Sequence, residues 1–225
     1  MKARPGKNAD LDMDRLITNL QKAYKGMRDP VVTEMTLNER NPFKVIIATL
    51  LSLRTRDEQT RDASARLFAL ADSPASMLEL TPEIIEDAIF PVGFYRVKAR
   101  RILEVSKQLI ERYSGDVPPD LDALLSLPGV GRKTANLVLT RGFNLPGICV
   151  DIHVHRISNR LGYVVSKHPD DTEQVLRQIL PFKYWIIYND LLVAYGQNIC
   201  TPISPWCSKC VVSDQCMQLG VAKHR

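Results

Sequence analysis

The sequence predicts an all-α fold, on three observations. Apolar residues recur at the three- and four-residue spacing of a helix face, as in Met13, Leu16, Ile17, Leu20 and Tyr24. No stretch sustains the period-two alternation of a half-buried strand. A polar residue stands before proline at Asn41-Pro42, Ser73-Pro74 and Thr81-Pro82, a pairing that caps a helix and fills its first position. With 225 residues, 45% of them hydrophobic, the chain is long enough for one large or two small domains with real cores.

Taken in order, the first helix covers residues 11–24 and is ended by Gly26 and Pro30. Asn41 caps the next, over 43–53, whose almost wholly apolar sequence predicts a central place in a core. Asp57 is read as the cap of a helix reaching Leu70, and Pro74 and Pro82 open two shorter ones. Gly93 breaks the chain before a longer helix over 96–113, where Arg96, Lys98, Arg100 and Arg101 predict a solvated face or one that tracks a polyanion. Gly115 and Pro118 lead to residues 120–127, with Leu121, Leu124, Leu125 and Leu127 at helical spacing. Past a turn at 144–147, Asp151 stands before a helix that Gly162 terminates, and helices over 170–180 and 182–196 follow.

Residues 127–136, Leu-Pro-Gly-Val-Gly-Arg-Lys-Thr-Ala-Asn, read as a tight turn between two helices. Pro128 cannot continue the first, and Gly129 and Gly131 are expected to take backbone angles closed to other residues. The backbone N–H groups from Gly129 through Val130 and Gly131 to Arg132 then lie open at a helix start. That is a site for one phosphate, gripped without regard to base.

This stretch resembles the helix-hairpin-helix of the endonuclease III family of DNA base-excision glycosylases. The resemblance implies a six-helix barrel over residues 35–145, carrying the hairpin, and a second helical domain from residues 1–34 and 146–225. It implies that Lys133 is a nucleophile attacking C1′ of an extruded nucleotide, expelling the damaged base and forming a Schiff base with the sugar. The physics is coherent, because an amine attacks only when neutral, and cationic neighbours and desolvation favour that form. Residues 150–156, Val-Asp-Ile-His-Val-His-Arg, match the family's second signature, whose aspartate follows the lysine by 18 positions, as 151 follows 133. Asp151 is thus both an expected helix cap and an anion to steady positive charge on the deoxyribose. Ile152 stands where many relatives carry Thr, which removes a hydroxyl near the pocket. His153 is read as structural and Cys149 as a buried core thiol.

Cys200, Cys207, Cys210 and Cys216 form C-x6-C-x2-C-x5-C. In a reducing compartment such clustering signals a metal, and thiolates alone suit zinc or iron–sulfur equally. The spacing resembles the [4Fe-4S] loop of the same family, which makes a structural cluster the expectation. Relatives often place Lys or Arg between the first two cysteines, whereas residues 201–206 here are uncharged, so phosphate contact through this loop is expected to be weak.

An enzyme that reaches C1′ must swing the nucleotide out and fill the gap. Arg54, where relatives usually have Gln, and Phe94 occupy the family's gap-filling positions. A net charge of +5 suits a polyanionic partner without requiring one. No apolar run approaches the roughly 18 residues of a transmembrane helix. Residues 1–14 hold two lysines, an arginine and three aspartates but no apolar h-region, which predicts neither signal nor transit peptide. The expectation is a monomeric, cytoplasmic or nucleoid-associated glycosylase and AP lyase for oxidised pyrimidines in damaged double-stranded DNA, carrying a [4Fe-4S] cluster, with no membrane association. Two other readings stand beside it: a non-catalytic, redox-sensing DNA-binding module, and a mismatch-specific glycosylase of the same superfamily. Lys133 argues against the adenine- and thymine-mismatch relatives, which lack a lysine there.

Overall fold

The computed structural model describes residues 2–27, 29–36 and 40–225. Among these, regular structure is helical except for one antiparallel pairing of Arg4–Pro5 with Val164–Val165. Chain contacts divide the protein into two compact units, Val31–Leu145, and Met1–Pro30 with Pro146–Arg225.

The unit Val31–Leu145 is built round helix Pro42–Ser52. Asn41 Oδ1 accepts the Lys44 N–H at 3.1 Å and Pro42 fills the first turn, so the helix starts where a donor would otherwise go unpaired. Phe43, Val45, Ile46, Ile47, Leu50 and Leu51 are all buried, each such side chain stabilising the fold by about 1.5–3 kcal/mol. Packed on it are helices Asp57–Leu70, Tyr95–Tyr113 and Arg132–Leu137, the last running on into a π-helical turn, Val138–Gly142. The two short helices begin as their prolines require. Ser73 and Ser76 form a reciprocal capping box, and Thr81 Oγ1 accepts the Ile84 N–H at 3.4 Å.

Two details differ from the sequence reading. Asp57 is the first residue of its helix rather than the cap; Arg56 holds that place without a side-chain bond, and Asp57 with Glu58 supplies the negative charge the N-terminus favours. The units meet between residues 30 and 31 rather than between 34 and 35. Helix Val31–Met35 buries Val31, Val32 and Thr33 and packs on Pro42–Ser52 and Asp57–Leu70, which draws it into the larger unit's core.

The other unit packs helix Trp185–Asn198 against Met13–Tyr24 and Ile152–Arg160, with Pro169–Ile179 on the last of these. Leu16, Ile17, Leu20, Val154, Ile157, Leu176, Tyr188 and Leu192 form its core. Among the described residues no helix is long and apolar enough to cross a membrane.

Candidate active site

The hairpin is a chain of small constraints. Helix Leu121–Leu125, capped by Asp120 Oδ1 on the Ala123 N–H at 2.8 Å, is followed at Pro128 by the turn. Gly129 has φ of +75°, a left-handed angle open to glycine, and a Cβ there would stand 3.0 Å from the Arg101 side chain. Gly131 caps helix Arg132–Leu137 with φ of −93°, which any residue adopts. The expectation of a special angle therefore fails at Gly131. Its Cβ would meet nothing within 4 Å, so what the glycine contributes is open space over the helix start.

The Val130 N–H is also less available than the sequence reading had it. It donates to Leu127 O at 3.2 Å, inside the turn, and the Val130 side chain is buried. The N–H groups of Gly129 and Gly131 have no acceptor among the described residues. Two glycine donors, beside Arg132 at the start of the helix, thus form the open part of the turn. Lys133 follows as the second residue of the helix and is half-buried, while Thr134, Ala135, Asn136 and Leu137 behind it are buried and fix its backbone.

Arg54 and Phe94, distant in sequence, are brought together within the same unit. Arg54 is exposed at φ of +54° and Phe94 is 62% exposed at φ of +59°, both left-handed. The Arg54 guanidinium lies 5.7 Å from the Phe94 ring centroid, a cation–π distance. Arg66 supports the chain before Phe94, its Nε donating to Ala88 O at 2.8 Å and its Nη2 to Phe90 O at 2.5 Å. The basic helix Tyr95–Tyr113 is only partly the solvated face expected. Arg96 is exposed near Glu86, Arg101 pairs with Glu104 at 3.1 Å and packs on Gly129, and Lys98 is buried.

Asp151 belongs to the second unit, as the cap of Ile152–Arg160. Its Oδ1 accepts the N–H groups of His153 at 2.8 Å and Val154 at 2.9 Å; Oδ2 takes part in neither bond. The carboxylate is half-buried, and Ile152 beside it is 66% exposed, an apolar side chain facing outward. His153 Nδ1 lies 3.0 Å from Arg156 Nη2, which also donates to Gly196 O and Cys200 O. Cys149 is buried and its carbonyl accepts Asn189 Nδ2 at 3.0 Å.

Cys200, Cys207, Cys210 and Cys216 all line one small, partly open hollow, with Ile199, Pro205, Trp206 and Val221. As the side chains stand, no group of three or more His, Cys, Asp or Glu among the described residues is arranged to hold a metal ion. Arg160 organises the loop, Nη1 lying 3.3 Å from Cys200 Sγ and donating to Thr201 O at 2.7 Å, with Nη2 on Pro202 O at 2.7 Å. The Gln218 N–H donates to Cys216 Sγ at 3.4 Å. Burial pushes the Cys216 thiol up to about 11, and burial first, then the neighbouring Cys210 and Cys200, raises Cys207. A cationic metal centre is what holds such sulfurs as thiolates. Sequence reasoning missed one resident of this loop. Arg225 lies 3.9 Å over the Trp206 ring opposite no local motif, and its backbone bonds to Pro205 and Ser208.

A glycine turn thus opens a helix with a lysine in its first turn, and four cysteines line one hollow of the other unit. Residues 47–182 match the HhH-GPD superfamily base excision DNA repair protein family. The chain is 48% identical to Endonuclease III of Thermotoga maritima over 178 residues, 79% of this chain and 84% of that one. It is 38% identical to Endonuclease III of Escherichia coli over 180 residues, 80% of this chain and 85% of that one. A solved non-covalent Endonuclease III–DNA complex superposes with a TM-score of 0.81 at 34% identity, covering 92% of this chain and 94% of the other. This chain belongs to the endonuclease III family. It is a DNA-binding glycosylase and AP lyase of base excision repair, and neither the redox-sensing module nor the mismatch enzyme is favoured.

Proposed function

We propose that the protein removes oxidised pyrimidines from damaged double-stranded DNA, with Lys133 as nucleophile and Asp151 assisting. What carries the reading is Lys133 itself, a half-buried amine one residue into the helix that the Gly129–Gly131 turn opens. The glycine N–H groups and Arg132 hold a backbone phosphate, so the grip is independent of base. Phe94 enters the space left by the extruded nucleotide and Arg54 faces the orphaned base, where an arginine offers donors only and so prefers acceptor edges.

In the reaction, the neutral Nζ attacks C1′, and the bond from C1′ to the base breaks with its electron pair leaving on the base, which takes up a proton. The C1′–O4′ bond then breaks with its electron pair on O4′, which takes the proton Nζ gives up, and nitrogen is left in an iminium with C1′. That iminium is an electron sink. Removal of the C2′ proton then expels the 3′ phosphate by β-elimination, and water releases the lysine. Asp151, fixed through Oδ1 by two backbone donors, steadies the positive charge that grows on the sugar.

The four cysteines fit a [4Fe-4S] cluster by donor type, since thiolates are its usual ligands and all four line one hollow. A cluster takes one thiolate per iron, which spaces its sulfurs more widely than a single zinc does. When bound it supplies a rigid cross-link for the loop 200–216. Arg160 and Gln218 each reach one of these sulfurs, Cys200 and Cys216. Protein purified without oxygen is expected to show a broad absorbance shoulder in the visible blue; zinc content without that shoulder contradicts the cluster.

Incubation with a thymine-glycol duplex and borohydride tests the enzyme reading. A covalent protein–DNA adduct is expected from the native chain and from Asp151→Asn more slowly, but not from Lys133→Ala. No adduct on either a thymine-glycol or an abasic duplex overturns it.

A further inference from the structure

Lys98 is the buried cation of the basic helix, and the proposed function gives it no part. It is 8% exposed, and its Nζ donates to Leu51 O at 2.8 Å, Leu53 O at 2.6 Å and Thr55 Oγ1 at 3.1 Å. An ammonium has three donors, so all of them are spent on one short segment. That segment is the end of helix Pro42–Ser52 and the turn after it, whose last carbonyls have no partner within the helix. In the middle of the turn sits Arg54.

The other end of Lys98 reaches the second tip. Its backbone N–H donates to Phe94 O at 3.0 Å. Between the two turns the backbones touch, because a Cβ added to Gly93 would lie 2.9 Å from Arg54 O. Arg54 and Phe94 both hold left-handed angles, which are unfavourable for a residue with a side chain and persist only where the surroundings impose them. Lys98 bonds Leu53 and Thr55 on either side of Arg54 through its side chain, and Phe94 O through its backbone.

We propose that Lys98 is a positioning residue for duplex opening, its buried ammonium fastening the Arg54 turn to the start of the helix that follows Phe94 so that two exposed tips enter DNA as one rigid wedge. The inference rests on the gap-filling reading of Arg54 and Phe94. Burial pushes the Lys98 pKa down to about 8, so the charge is kept against its solvation preference, as a fixed geometry requires. Loosening the turn leaves the Lys133 chemistry in place but lets the tips move independently.

The test compares Lys98→Met, nearly isosteric and uncharged, with the native chain on two substrates. On a thymine-glycol duplex carrying 2-aminopurine opposite the lesion, excision is expected to fall about tenfold or more, with loss of the fluorescence rise that reports unstacking. On a single-stranded abasic oligonucleotide, which has no stack to open, borohydride trapping is expected to stay within about twofold of native, a split that a general loss of fold cannot produce. Equal losses on both substrates, or no loss on either, overturn the proposal. If Lys98→Met does not fold, Thr55→Val removes one of the three acceptors and is expected to show a smaller, duplex-confined loss; an unaffected duplex rate then overturns it. Phe94→Ala and Arg54→Ala separate the two levels. If they leave the duplex rate and fluorescence unchanged, the gap-filling reading itself fails; if they matter and Lys98→Met does not, the Lys98 inference alone fails.

Discussion

Two turns in the unit Val31–Leu145 each deliver a chain break to the start of a helix, and they do it by opposite means. At residues 128–132 the side chains are withdrawn. Gly129 and Gly131 leave backbone N–H groups and empty space, and Val130 is buried beneath. At residues 90–95 the side chains are put forward, with Phe94 left-handed and exposed beside Arg54. On the proposed function, the first surface would grip what every nucleotide shares, and the second would meet what a damaged or missing base leaves behind.

The contrast can be broken most severely at Lys133, the proposed nucleophile. Lys133→Ala is expected to lower single-turnover excision by about a thousandfold or more while duplex binding in a shift assay changes little, since the glycine donors remain. Removing the wedge comes next. Phe94→Ala is expected to slow excision about tenfold and to leave affinity for undamaged duplex nearly unchanged. Gly129→Ala sharpens the comparison from the other side. A Cβ at φ of +75°, 3.0 Å from Arg101, costs about 1–2 kcal/mol, and affinity for damaged and undamaged duplex should fall together, about fivefold. If Gly129→Ala instead spoiled discrimination and Phe94→Ala weakened all binding, the division of labour between the turns would be wrong.

The smallest effect concerns pH. Lys98 has its folded pKa lowered to about 8 from an unfolded value near 10.4. Between these values the unfolded chain binds more protons, so stability rises with pH there; the penalty is complete below pH 8. Native protein should therefore gain on Lys98→Met by roughly 2 kcal/mol between pH 8 and pH 10 in denaturant titrations. A flat difference would mean that the ammonium is not desolvated.

The same two turns show what a sequence makes legible. The hairpin was readable because its backbone demands are written as residue types, Pro128, Gly129 and Gly131 ahead of an apolar run. Even so, composition could not reveal that Gly129 alone takes the unusual angle, or that the Val130 N–H is consumed within the turn. The wedge was named from resemblance and not from physics, because neither Arg54 nor Phe94 carries a turn signature. They meet across 40 positions of sequence, and such a contact leaves no local pattern. Lys98 illustrates the limit best. In sequence it is one cation in a charged run, and only the packing of the helix against Leu51, Leu53 and Thr55 buries it. The cysteines lie between these cases. Their spacing announced a metal, whereas the parts played by Arg160 and Arg225 in holding their loop needed coordinates.

The account turns on which amine joins the sugar. Digesting the borohydride-reduced adduct formed on an abasic duplex and sequencing the DNA-bearing peptide by mass spectrometry tests this directly. The modification is expected on Lys133, within the peptide that follows the Gly129–Gly131 turn; a modification on any other lysine or on the chain's amino terminus, with Lys133 untouched, would contradict it.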